Sequence, residues 1–152
     1  MSKVCVFFGH RFVADPEVLE PQLKRVVRAL INEGVDTFWL GGYGDFDKLA
    51  ERVTKELKVE FPHIQRVLAL AYLPTNKEDY QYKNAFYDLM FYPEGVEEAP
   101  KKFAITKRNR YLVENADVVV AWVNAETGGA ALAIQHAQKL KKKVILLNPK
   151  KS

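Results

Sequence analysis

The 152-residue chain is 48% apolar and 28% charged with a formal net charge of +4, which suits one soluble globular domain over residues 1–152 and excludes a disordered or strongly polybasic protein. No apolar run approaches the roughly 20 residues needed to cross a bilayer, and Met1-Ser2-Lys3 runs into a strand without a signal-peptide layout. The single cysteine, Cys5, lies inside an apolar run, so it reads as core rather than nucleophile and fits a reducing compartment; the cytoplasm is the expected location.

The first element is a strand at Val4–Phe8, continuous in apolar residues as a parallel strand covered on both faces should be. It delivers Gly9-His10-Arg11, a glycine followed by two donor-rich side chains. Asp15-Pro16-Glu17 then starts a helix whose apolar face is Leu19, Leu23, Val26, Val27 and Leu30, with Pro21 as a start or bend and Gly34 as the stop. A second strand, Thr37–Leu40, ends in Gly41-Gly42-Tyr43-Gly44-Asp45. Asp45 suits the N-cap of the next helix, whose core face is Leu49, Val53 and Leu57 and which stops at Pro62. Arg66–Leu73 is the third strand.

The segment Tyr80–Tyr92 is rich in aromatics, and Tyr82, Phe86, Leu89 and Met90 share one helical face that Pro93-Glu94-Gly95 would end. A helix from Pro100 to about Asn115, a strand at Asp117–Val123, a helix from Gly129 to Leu140 and a strand at Val144–Leu147 complete the chain. Alternating strands and helices predict an α/β, Rossmann-like three-layer sandwich with a mainly parallel five-stranded sheet in the order 3-2-1-4-5.

Three strand ends therefore carry glycine and polar residues, and open α/β sheets bind ligands outside the carboxyl ends of their strands. Gly9, Gly41, Gly42 and Gly44 let backbone N–H groups approach a phosphate. Thr127, Gly128 and Gly129 open a helix, whose first amides favour an anion. Arg11 and Arg108 can each grip phosphate through two donors, with His10 and Asn109 beside them. The carboxylates Asp45 and Asp47 suit ribose hydroxyls, a base edge or water, and Asp45 also reads simply as a helix cap. His63 and His136 lack partners at metal-ligand spacing, so no metal site is expected.

Taken in order, Phe8-Gly9-His10-Arg11, the Gly41–Asp47 turn, Arg108-Asn109, and Ala116–Val120 followed by Thr127-Gly128-Gly129 resemble the landmarks of the SLOG superfamily, the Rossmann-like group of the YpsA-like, DprA and LOG proteins. The resemblance runs from about Val4 to Asn148. It implies a nucleotide or nucleotide-derived phosphorylated ligand at the strand ends, no required cofactor, and a homo-oligomer. LOG enzymes cleave the base from a nucleoside monophosphate with a glutamate in a Pro-Gly-Gly-x-Gly-Thr-x-x-Glu loop. Here Thr127–Gln135 contains no acid, so ligand binding ranks above LOG-type N-glycoside hydrolysis or deoxyribosyl transfer, for which Asp45, Asp47 and Glu126 are the candidate catalytic residues. A DNA-linked role by analogy with DprA ranks last, because the lysine clusters Lys141-Lys142-Lys143 and Lys150-Lys151 are not interleaved with aromatics; nucleic acid and membranes are not expected partners.

Overall fold

The computed structural model describes residues 2–123 and 128–147. Its strands are β1 (Val4–Gly9), β2 (Thr37–Leu40), β3 (Gln65–Ala69), β4 (Leu89–Phe91), β5 (Val118–Trp122) and β6 (Lys143–Leu146). The helices are α1 (Pro16–Asn32), α2 (Gly44–Glu60), α3 (Lys77–Phe86), α4 (Ala104–Asn115) and α5 (Gly129–Lys139). A short 3-10 turn, Lys101–Phe103, leads into α4. None of these helices is long and apolar enough to cross a membrane.

The strands form one sheet in the order β4-β3-β2-β1-β5-β6, and every pairing is parallel. Side chains alternate across it as the two-residue period requires. Cys5 and Phe7 of β1 join a core with Phe38, Val118 and Val120, under Leu23 and Val27 of α1 and Leu49, Val53 and Leu57 of α2. Val4, Val6 and Phe8 join the opposite core with Val119 and Ala121, under Leu112 and Val113 of α4 and Ala133, Ile134 and Ala137 of α5. Both faces of β1 and β5 are therefore dry, and their unbroken apolar runs follow from that. Asp117 ties the two central strands at their start, its carboxylate accepting the Val4 N–H at 2.8 Å.

The five-stranded expectation is corrected to six. The added strand, β4, lies within the aromatic segment expected to stay helical to Tyr92; α3 stops at Phe86. A three-residue apolar run matches helical and extended periods equally well, and contacts distant in sequence decide between them. The Asp88 carboxylate accepts the Arg66 backbone N–H at 2.8 Å, and the Asp88 N–H donates to the Arg66 carbonyl at 2.9 Å. These bonds draw the chain alongside β3, where Leu89 pairs with Val67. The Arg66 side chain, buried, ends the helix by donating to the Phe86 carbonyl, and also bonds Thr54 and the Glu51 carbonyl. The rings of Phe86 and Tyr87 lie against its guanidinium, and the Tyr87 hydroxyl donates to Glu51. Asp45 is likewise corrected as a cap. It is the second residue of α2, and its carboxylate accepts the Val13 N–H at 3.0 Å instead.

Candidate functional site

The strand order reverses between β1 and β5, and a cavity of about 300 Å3 opens at the carboxyl ends of the strands there. That is where open α/β sheets hold ligands. The end of β1 contributes Gly9, His10 and Arg11; the turn after β2 contributes Gly41 and Tyr43; the first turn of α2 contributes Asp47; α4 contributes Arg108 and Asn109; and the start of α5 contributes Gly128 and Gly129. Gly42, Gly44 and Asp45 do not line it. Glu126 and Thr127 lie outside the described residues.

The cavity gathers groups of opposite charge preference. The helix α5 follows Gly128, whose φ of 104° a side chain would strain, and no side chain caps the helix among the described residues. Its first N–H groups and the positive end of its dipole therefore face the cavity. Exposed Arg11 stands nearby, and the His10 ring meets Trp122 edge-on with centroids 5.2 Å apart. Asp47, 9% exposed, also lines the cavity, its carboxylate accepting the Tyr43 N–H at 2.9 Å. Burial pushes that carboxyl up to about 7 from its ordinary 3.8, although the Tyr43 N–H and the Arg108 charge pull it down. Among the described residues it is the one carboxylate lining the cavity.

Arg108 is 5% exposed and acts mainly as a clamp. Its Nη1 donates to the carbonyls of Gly41, after β2, at 2.9 Å and of Ala69, at the end of β3, at 3.3 Å. Nε and Nη2 both donate to Asn109 Oδ1. Four of its five N–H donors are thus engaged within the protein, where two were expected to grip phosphate directly. The Tyr43 ring packs 5.4 Å from the guanidinium.

The glycine turn after β2 also differs from a phosphate cradle. The Tyr43 N–H is taken by Asp47, the Asp45 N–H donates to the Arg11 carbonyl at 2.8 Å, and the Phe46 N–H reaches the His10 carbonyl at 3.4 Å. Gly44 is needed there because a Cβ would sit 2.7 Å from Arg11 Cα, at a φ of 87°. Gly9 is needed because a Cβ would meet the buried Phe46 ring at 2.3 Å. Tyr43 was not among the sequence candidates; its place between two glycines of the turn is the signal that marks it. No three His, Cys, Asp or Glu side chains are grouped as metal ligands would be among the described residues.

Comparisons with known proteins match this geometry at the level of fold. The DNA processing protein A (DprA) of Streptococcus pneumoniae superposes with a TM-score of 0.68 at 15% identity, over 99% of this chain and 52% of that one. DprA of Helicobacter pylori, described by its single-stranded DNA binding mode, gives 0.67 at 15% identity, over 99% and 67%. The molybdenum cofactor carrier protein of Chlamydomonas reinhardtii gives 0.60 at 18% identity, over 99% and 80%. No protein-family model matches the chain, and no curated protein matches it in sequence. The chain thus has the Rossmann-like fold of the DprA proteins, as the SLOG resemblance implies, and spans about half the length of the pneumococcal one. The exclusion of nucleic acid as a partner is overturned: a protein of this fold binds single-stranded DNA, so lysine clusters without interleaved aromatics are no argument against it.

Proposed function

We propose that the protein binds a nucleotide or nucleotide-derived phosphorylated ligand in the cavity at the strand ends. The observation that carries this reading is the lining of one cavity: the start of α5, with no side-chain cap among the described residues, and Arg11, together with a single buried carboxylate, Asp47. A phosphate suits the first and sugar hydroxyls the second. Arg108 supports the site by fixing the ends of β2 and β3 and by supplying positive potential from beneath. The phosphate can belong to a free nucleotide or to a nucleotide within a single strand, since the cavity recognises the same group in either.

Titration calorimetry with nucleoside 5′-monophosphates, their nucleosides and oligothymidylate tests this. Arg11→Ala should weaken phosphorylated ligands roughly ten- to a hundredfold and leave nucleosides unchanged, because a charge-assisted contact contributes about 1.5–3 kcal/mol. Lys139→Ala, at the far end of α5, serves as the control. Equal losses for both variants, or an Arg11 effect indifferent to the phosphate, would refute the assignment. Oligothymidylate that displaces mononucleotide from the wild type, and loses affinity in Arg11→Ala, identifies the strand as the source of the phosphate.

One observation favours a second, catalytic reading: Asp47 is a buried carboxyl titrating near neutrality inside the cavity. Such a group, ionised, can take a proton from water as the water's oxygen bonds C1′ of the sugar and the C1′–N bond breaks, the same proton then passing to the departing base. Chromatography of the same mixtures for released base separates this enzyme from a binder, and Asp47→Asn should abolish the release.

A further inference from the structure

A second hollow adjoins the first. Between α4 and α5 lies a groove of about 170 Å3 that shares Ile105, Asn109 and Gly129 with the strand-end cavity. Its walls are apolar, formed by Ile105 and Val113 of α4 with Leu132 and Ala133 of α5. Leu132 leaves 57% of its surface in water, an unfavourable place for an aliphatic side chain with nothing against it. The rim carries the Asn109 amide, whose Oδ1 already accepts from Arg108, the His136 ring, whose Nε2 lies 3.3 Å from Glu114 Oε2, and Arg110.

We propose that this groove is the base subsite of the ligand, holding a flat heteroaromatic ring whose sugar phosphate occupies the neighbouring cavity. The inference rests on the nucleotide reading of that cavity. Its argument is continuity and division of chemistry. The strand-end cavity, though lined in part by Phe7, Phe8 and Leu112, holds Arg11, the start of α5 and Asp47, groups suited to a phosphate and a sugar, and the base lies against a surface joined to it. The groove opens from it at Gly129, beside the helix start that faces the phosphate. It combines apolar walls for the ring faces with polar groups for the ring edge, the usual composition of a small-molecule subsite. Of the rings that line the strand-end cavity, Tyr43 packs against the Arg108 guanidinium and, edge-on, against Tyr72 at 6.2 Å, and His10 meets Trp122 edge-on.

Two exposed wall positions allow a test without disturbing the core: Leu132→Asp places a charge in the groove, and Thr106→Trp fills it from the rim. Adenosine 5′-monophosphate and ribose 5-phosphate are titrated into the wild type and both variants, with thermal melts to confirm folding. The wild type should prefer the nucleotide by about ten- to a hundredfold, the worth of one buried base contact. Both variants should bring that preference below about threefold while binding ribose 5-phosphate within about twofold of wild type. A preference that persists in either folded variant, that is absent from the wild type, or that Tyr43→Ala abolishes while both groove variants keep it, overturns the groove assignment and leaves the phosphate site standing. If neither compound binds the wild type, the phosphate reading falls and the groove falls with it.

Discussion

Asp47→Asn should make the protein more stable at neutral and alkaline pH. Burial holds the Asp47 carboxyl at about 7 against an ordinary 3.8, so between those values the native chain keeps a proton that the unfolded chain has released. Stability must then fall as pH rises through that window and level off above it, because the native state binds more protons there. A displacement of about three pH units at about 1.4 kcal/mol each gives about 4 kcal/mol. Asparagine retains an oxygen to accept the Tyr43 N–H and carries no charge to desolvate. Urea denaturation of both proteins from about pH 4 to about pH 9 should show their difference growing in favour of the variant by about 4 kcal/mol up to pH 7, then staying constant. A difference independent of pH would refute the reasoning. So would a variant that loses ground as pH rises, since the ionised carboxylate would then be held by Arg108 more strongly than burial opposes it.

Two further substitutions follow from the geometry. Gly9→Ala should destabilise by about 1–3 kcal/mol or more, read by denaturation, because its Cβ would need to displace a ring at the centre of the core. Arg108→Ala should cost about 2–4 kcal/mol in the same assay by stripping the Gly41 and Ala69 carbonyls of their buried donor; an unchanged midpoint would show that the clamp does not hold the strand ends.

The parts of the fold written in local pattern were legible. The unbroken apolar runs of β1 and β5, the periodic faces of α1 and α2, and the glycines that follow β1, β2 and β5 all appear where the sequence puts them. What escaped was decided by hydrogen bonds between residues far apart in the chain. Leu89–Phe91 becomes a strand because Asp88 bonds to Arg66, twenty-two residues away. Asp45 looks like a cap until the Val13 N–H takes its carboxylate. Arg108 reads as a phosphate grip until Gly41 and Ala69 present their carbonyls to it. In each case the residue type announced a strong donor or acceptor, and only the folded chain could say which partner it would meet. Asp47 is the converse case, because its unusual titration comes from enclosure, which no motif encodes.

The bonds between the start of α2 and the loop after β1 have a kinetic consequence. The carbonyls of His10 and Arg11 are fastened to α2 amides, and Val13 is fastened to Asp45, so the backbone carrying the His10 and Arg11 side chains is bolted in place by the fold itself. If the proposed ligand binds here, this segment needs no ordering, and the conformational entropy that a loose loop would forfeit on capture has already been given up in folding. Its contribution to binding is then that of a preformed wall, and differences in affinity between ligands that contact it should lie in how fast they leave.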